Sequence, residues 1–319
     1  MNITIKKIAE IAGVSRGTVD RVIHSRPGVR DDIREKVSNI LEALDYRPNL
    51  AGKALVSGNR NISIGVVLAP DFNPFVEEVK KGIDDEAGRI GAYGVTLDVE
   101  VISAFDEKEQ LAVMNRLQEK GVSAVAIVPI RKPLIVEKIN ELAGAGIPVV
   151  TFNSDAAESK RLCFVGQDNF KAGRTAGDLA VKLAPGSGSA AVITSTRSLS
   201  CHTQRTTGFS QRLAEGGGLA AAGVEENQDM DDTAYDITLG YIKRINDLKL
   251  IYITGGGAAG VGRALKQSGK AGRIRVVAHD LVPESAALLR EGVIDFIIGQ
   301  NPYMQGLMPL KILFNNIFL

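Results

Sequence analysis

From residue 62 onward the chain alternates short apolar runs with helical patterns, and this alternation restricts the fold more than any other feature. Residues 62–69, Ile-Ser-Ile-Gly-Val-Val-Leu-Ala, are apolar on both faces, as in a strand covered from both sides. Further strands are expected at 95–101, 124–128, 149–152, 190–193, 250–254 and 276–279. Helical periodicity falls between them, at about 75–90, 106–120, 134–145, 172–183, around 209–214, 235–247 and 260–268. Strands that alternate with helices imply a parallel, doubly wound sheet. The cycle restarts after Asn169, so two similar lobes are expected. Pro302 to about Phe318 reads as a last helix, interrupted by Pro309.

The 60 residues before this alternation differ in charge. The whole chain of 319 residues carries +1, which argues against a surface that binds nucleic acid throughout. Residues 1–60 hold eleven basic and seven acidic residues, a local +4, which leaves −3 for the remainder. A basic head on a mildly acidic body suggests that the head meets a polyanion. Only two cysteines occur, Cys163 and Cys201, so there is no disulfide framework and a reducing cytosol is expected. No apolar run is long enough for a membrane span or a secretory signal, so neither a membrane partner nor export is expected.

The head reads as three short helices. Thr4 caps the first, in which Ile5, Ile8, Ala9 and Ala12 form one apolar face. Gly13 supplies the left-handed stop, and Ser15 caps a second helix whose Val19 and Val22 face inward. A third helix is expected from about Asp31 to Leu44. Two short helices joined by Ala12-Gly-Val-Ser15 have the form of a helix-turn-helix. On the second, Arg16, Gly17, Asp20 and Arg21 point away from the core. Arg16 suits bidentate binding of guanine, and Gly17 allows close backbone approach in a major groove. Ser15 and Thr18 suit phosphate contacts. Asp20 either accepts from a cytosine amino group or holds Arg16 or Arg21 in place.

The run Thr4-Ile-Lys-Lys-Ile-Ala-Glu-Ile-Ala-Gly-Val-Ser-Arg-Gly-Thr-Val-Asp-Arg-Val22, with Leu44-Asp-Tyr-Arg-Pro-Asn49, resembles the head of lactose-repressor (LacI/GalR-type) transcription regulators. That resemblance implies a homodimer on double-stranded operator DNA, with the second helix reading a half-site. It also implies a hinge helix at Pro48 to about Val56 that folds on DNA. There Leu55 would wedge into the minor groove, with Asn49 and Lys53 as further contacts. The implied division is a head at 1–47, a hinge and linker at 48–61, and a body at 62–319. Within the body an N-lobe would take about 62–167 plus 302–319 and a C-lobe about 168–301.

Open parallel sheets bind ligands beyond the carboxyl ends of their strands. The residues expected there are Asp71 to Phe75, Asn153-Ser-Asp155, Asp280, Gln300-Asn301 and a loop Ser200-Cys-His-Thr-Gln-Arg205. Such carboxylates, amides and one arginine suit a polyhydroxylated ligand, with Phe72, Phe75 and Phe152 as apolar walls. Singly, Asn153 or Asp280 would serve equally well as a turn or cap. The body resembles the periplasmic sugar-binding-protein fold through Asn73-Pro-Phe75, residues 149–155 and 165–169, Arg205-Thr-Thr-Gly-Phe209 and Gln300. By that resemblance Asn73, Phe75, Asn153, Asp155, Arg205, Asp280 and Gln300 line the cleft around a small, sugar-like effector, and His202, in the same loop as Arg205, is added to them as a further candidate. Relatives of this kind continue through a further strand pair, whereas this sequence ends at Leu319, so the resemblance does not carry over to inter-lobe stability and dimer geometry.

Two other readings stay open. Gly255-Gly-Gly-Ala-Ala-Gly260 is a G-x-G-x-x-G after a strand, with Asp280 twenty residues on, which suits NAD(H) and a redox sensor. The head of a sugar-binding protein could also meet another protein rather than DNA. Catalysis finds little support. His24, His202 and His279 show no triad order, and Cys201 beside His202 is too sparse for a metal site. No cofactor, metal or enzymatic activity is expected.

Overall fold

The computed structural model describes residues 4–23, 26–44, 62–71, 73–216 and 218–318. The hinge residues Asn49, Lys53 and Leu55, together with His24 and Phe72, lie outside the described residues.

The head is built from α1 (Ile5–Ala12), α2 (Arg16–Ile23) and α3 (Asp31–Ala43). The Thr4 hydroxyl accepts from Lys7 N at 3.3 Å, and Gly13 closes α1 at φ 68°. Ile8, Ala9, Ala12, Val19, Val22 and Val37 form the small core, as helical spacing of the apolar residues requires.

The body contains two five-stranded parallel sheets. The first joins β1 (Ile62–Leu68), β2 (Val95–Val101), β3 (Ala124–Ile127), β4 (Val149–Phe152) and β5 (Cys163–Val165) in the order β2-β1-β3-β4-β5. The second joins β6 (Gly188–Thr194), β7 (Leu219–Glu226), β8 (Leu248–Ile253), β9 (Arg275–His279) and β10 (Phe296–Ile298) in the order β7-β6-β8-β9-β10. The two orders are the same path, traced once per lobe. Around the first sheet lie α4 (Pro74–Gly91), α5 (Glu107–Glu119) and α6 (Pro133–Gly144). The second lobe holds α7 (Asn169–Leu183), α8 (Ser200–Ala214), α9 (Asp231–Arg244), α10 (Ala258–Gln267) and α11 (Pro283–Arg290).

The last helix, α12 (Pro302–Phe318), returns to the first lobe, where Leu310, Leu313, Phe314 and Phe318 join the core of that sheet. It runs through Pro309, which corrects the expected interruption. The return depends on close backbone approach. A Cβ on Gly82 would lie 2.0 Å from Tyr303 O, and one on Gly306 would lie 2.0 Å from Val79 O. Glycine is therefore required on both sides of the α4–α12 contact.

One expected loop is also corrected. Residues 200–205 are not a loop but the first turns of α8. Ser, Thr and His are weak helix formers, which hides the helix locally. The spacing of Cys201, Arg205 and Phe209 nevertheless puts one buried face against the protein interior, and tertiary burial decides the conformation.

Candidate functional site

Among the described residues, five that are not glycine have positive φ: Asn153, Gln228, Asp229, Asp280 and Asn301. All follow strand ends, after β4, β7, β9 and β10, where the two sheets face each other. Asn and Asp tolerate this left-handed geometry better than other side chains, and strained backbone gathers at working sites. Asn153, Asp229 and Asp280 line a cavity between the lobes of about 540 Å³, its open mouth included. Asn73, Phe75, His202, Arg205 and Gln300 line it as well.

Arg205 organises the C-lobe wall and is only 1% exposed. Its Nε donates to Asn169 Oδ1 at 2.9 Å, Nη1 to Thr254 O at 2.8 Å and Nη2 to Gln300 Oε1 at 2.7 Å. Gln300 Nε2 then donates to Asp280 Oδ1 at 2.8 Å, so the arginine reaches Asp280 through an amide. Burial pushes the Asp280 carboxyl up to about 6, against the pull of the Arg205 guanidinium. Burial raises the Asp229 carboxyl too. Its Oδ1 accepts from Gly256 N at 2.7 Å.

His202 is neutral in this setting, because burial and then Arg205 push it down to about 3. Thr254 Oγ1 donates to Thr194 Oγ1 at 2.9 Å, so toward His202 it can only accept. His202 Nδ1, 3.1 Å from Thr254 Oγ1, therefore carries the proton, and Nε2 is left as an acceptor. Beneath this layer Tyr252 Oη lies 2.7 Å from His279 Nε2, both buried.

The opposite wall is apolar. Leu68, Phe75, Val76, Val79, Phe105, Val128 and Phe152 line it, joined by Leu199 and Cys201. Cys201 is buried, and desolvation pushes its thiol up to about 11, so it behaves as an apolar group. Asn73 caps α4, its Oδ1 accepting from Phe75 N at 3.0 Å. Asn153 Nδ2 donates to Gln305 Oε1 at 3.3 Å.

Asp155 is the member of the expected set that the structure places elsewhere. Its carboxylate takes Arg161 Nε at 2.5 Å and Nη2 at 2.7 Å, and its backbone N donates to Ser200 Oγ. The adjacent salt bridge satisfies it away from the cavity, beside Arg131 and Thr203. Among the polar residues of the cavity, Asp229 is one that the sequence pattern does not reveal, and the apolar Val76, Val79 and Phe105 are likewise not singled out by it. Asp229 follows β7, a half-exposed edge strand of low apolar contrast, so the rule about strand ends had no strand to act on.

The glycine run is corrected as a dinucleotide loop. Gly256 N–H already donates to Asp229, and Asn227 Nδ2 donates to Gly256 O at 2.9 Å. A pyrophosphate needs free N–H groups at a helix start, and here a carboxylate occupies one. Gly260 serves packing, since a Cβ there would lie 1.8 Å from Asp231 O.

In the head, Arg16, Gly17 and Arg21 are exposed on α2, while Val19 and Val22 are buried. Ser15 Oγ accepts from Thr18 N at 3.1 Å and lies 2.9 Å from Thr18 Oγ1, so both hydroxyls take part in the cap. Asp20 receives Arg26 Nη1 at 3.2 Å, a cation from the turn after α2, in addition to the Arg16 and Arg21 that the sequence suggests as partners.

The profile of the periplasmic binding protein domain family matches residues 64–317. The chain belongs to that family. Residues 4–49 match the bacterial regulatory proteins of the lacI family, so the chain carries the domain pair of a lacI-family regulator. It is 31% identical to catabolite control protein A of Priestia megaterium over 150 residues, which are 47% of this chain and 43% of that protein. It is 30% identical to the HTH-type transcriptional regulator MalR of Streptococcus pneumoniae over 219 residues, 67% of this chain and 63% of that protein. The matched segments thus span about half the length of such relatives. The crystal structure of a sugar ABC transporter sugar-binding protein from Bacillus halodurans superposes with a TM-score of 0.69 at 26% identity, covering 80% of this chain and 87% of that one. Among the described residues no helix is long and apolar enough to cross a membrane.

Proposed function

We propose that this lacI-family protein is a sequence-specific DNA-binding transcription regulator, a repressor, whose operator binding responds to a small sugar-like effector held between the lobes. One observation carries the reading. The same chain holds a helix-turn-helix with Arg16, Gly17 and Arg21 exposed on α2 and a cleft in which polar C-lobe groups face a mostly apolar N-lobe wall. The relatives named as transcriptional regulators support the first half, and the likeness to a sugar-binding protein supports the second. The protein works in the cytoplasm as a homodimer on double-stranded DNA, with Thr4, Ser15 and Thr18 near phosphates. It binds its effector without converting it.

The effector acts by population shift. It need only bind one lobe arrangement more tightly, and about 1–3 kcal/mol of coupling is typical. Contacts between the lobes give that shift a path: Arg131 N donates to Ser198 O at 2.6 Å, and Ser154 Oγ lies 3.0 Å from Ser200 Oγ.

A thermal-shift screen of sugars and polyols, followed by operator binding with each hit, tests the reading. Asp280→Ala should abolish sugar-dependent stabilisation and leave operator binding intact. Retained stabilisation would remove Asp280 from the site.

A further inference from the structure

The two walls of the cleft differ in chemistry. The C-lobe wall is crowded with acceptors. Asp280 uses Oδ1 toward Gln300, Asp229 accepts from Gly256 N and is met by the Asn73 and Ser195 side chains, and His202 Nδ1 faces Thr254, which leaves Nε2 as an acceptor. The cation beside them, Arg205, already donates to three protein acceptors. A ligand meeting this wall has to donate hydrogen bonds, which hydroxyl groups do. An anionic ligand would meet two carboxylates against one arginine that is already engaged.

The N-lobe wall offers almost no hydrogen bonding. Phe75, Val76 and Val79 project from the first turns of α4, with Leu68, Phe105 and Phe152 beside them. Among the described residues only Asn73 and Asn153 are polar there: Asn73 is held by Phe75 N at its Oδ1 and by Asp229 at its side chain, and Asn153 gives its Nδ2 to Gln305 and keeps only Oδ1. A hydroxyl pressed against Val76 and Val79 would lose water and gain no partner. A methyl group there would gain by burial.

Resting on the sugar-effector reading above, we propose that the effector is an uncharged deoxy sugar. Its hydroxyl-bearing edge faces Asp229, Asp280 and His202, and its methyl-bearing face lies against Val76, Val79 and Phe75. Sugar acids and sugar phosphates are rejected by the same arrangement. The valines set specificity, while the C-lobe wall sets the requirement for hydroxyls.

Matched pairs that differ by one oxygen provide the test. Calorimetric titration of the full chain would compare D-fucose with D-galactose, L-rhamnose with L-mannose and 6-deoxy-D-glucose with D-glucose. D-galacturonate and D-galactose 6-phosphate complete the set. At least one deoxy member should bind roughly ten- to a hundredfold more tightly than its hydroxylated partner, the range expected when an apolar pocket meets an added hydroxyl. The acid and the phosphate should show no heat of binding. Val79→Thr, nearly isosteric, should bring the matched pair to within about threefold, and Val76→Thr provides a second variant should the first melt early. Equal affinities within every pair would overturn this inference while leaving the sugar reading intact. Tighter binding of the acid or phosphate would overturn it as well. Silence from every sugar would overturn both.

Discussion

The recognition helix and the cleft employ arginine in opposite ways. On α2 Arg16 is exposed, above a core of six small apolar residues that does not depend on it. In the cleft Arg205 is buried, and its guanidinium ties α7 and the segments after β8 and β10 together through Asn169, Thr254 and Gln300. An exposed arginine can be specialised for a partner at almost no cost to the fold. A buried one serves fold and ligand at once, and the two roles cannot be changed independently.

The largest effect should follow from breaking the buried arginine. Arg205→Leu leaves Asn169, Thr254 O and Gln300 without their donor, and Asp280 and Asp229 without a neighbouring cation. Removing one partner of a buried ionic cluster costs about 3–5 kcal/mol. Urea denaturation of the full chain measures it. A loss below about 1 kcal/mol would mean that the cleft holds together without its arginine, and the contrast with the head would collapse.

Arg16→Ala is the counterpart. Specific operator binding should fall by about 1–3 kcal/mol, with selectivity relaxed at one base position. Stability should move by less than about 0.5 kcal/mol, as for most exposed sites. A binding-site selection together with a melt reads both numbers. Unchanged selectivity would take the base-reading role away from Arg16.

The same difference in exposure explains what could be read without coordinates. Central strands such as β1, β3 and β8 are apolar apart from Ser63 and Lys249 near their starts, so their type and order are legible. The edge strands β5 and β10 have three residues each, and β7 is half exposed. Edge strands bury little, so periodicity carries little signal there, and Asp229 was lost with β7. Seven of the eight expected cleft residues line the cavity, because strand-end position is fixed by topology. The pairing of Asp155 with Arg161, six residues away, depended on a loop path that no periodicity encodes.

The third test uses pH. The Asp280 carboxyl sits at about 6 in the fold, above its ordinary value of 3.8. Below 3.8 both folded and unfolded states hold the proton. Between 3.8 and 6 only the folded state holds it, so this group makes the fold less stable as pH rises, and above 6 its full cost is present. A sugar hydroxyl that donates to Asp280 favours the ionised form. Affinity should therefore be greatest above pH 6 and fall by up to roughly tenfold per unit below it. Asp280→Asn should flatten the slope, apart from what the raised Asp229 contributes. A slope unchanged by Asp280→Asn would assign the titration to another group.

The smallest effect sharpens the contrast most, because one substitution should have opposite signs in the two regions. At Gly17 an added Cβ meets only Ser15 Oγ, at 3.7 Å, and at Gly260 it meets Asp231 O at 1.8 Å. Alanine is favoured over glycine in a helix by about 0.8–1 kcal/mol. Gly17→Ala should therefore stabilise α2 by about 0.5–1 kcal/mol, whereas Gly260→Ala must push α9 and α10 apart and destabilise the C-lobe. Hydrogen exchange in the full chain resolves the two, with slower exchange in α2 for the first and faster exchange in α10 for the second. If Gly17 lets the backbone of α2 approach DNA, the stabilised variant should bind its operator more weakly. Glycine would then be kept at that position for the partner and not for the fold. Equal or tighter operator binding by Gly17→Ala would show that the close approach takes place elsewhere on the helix.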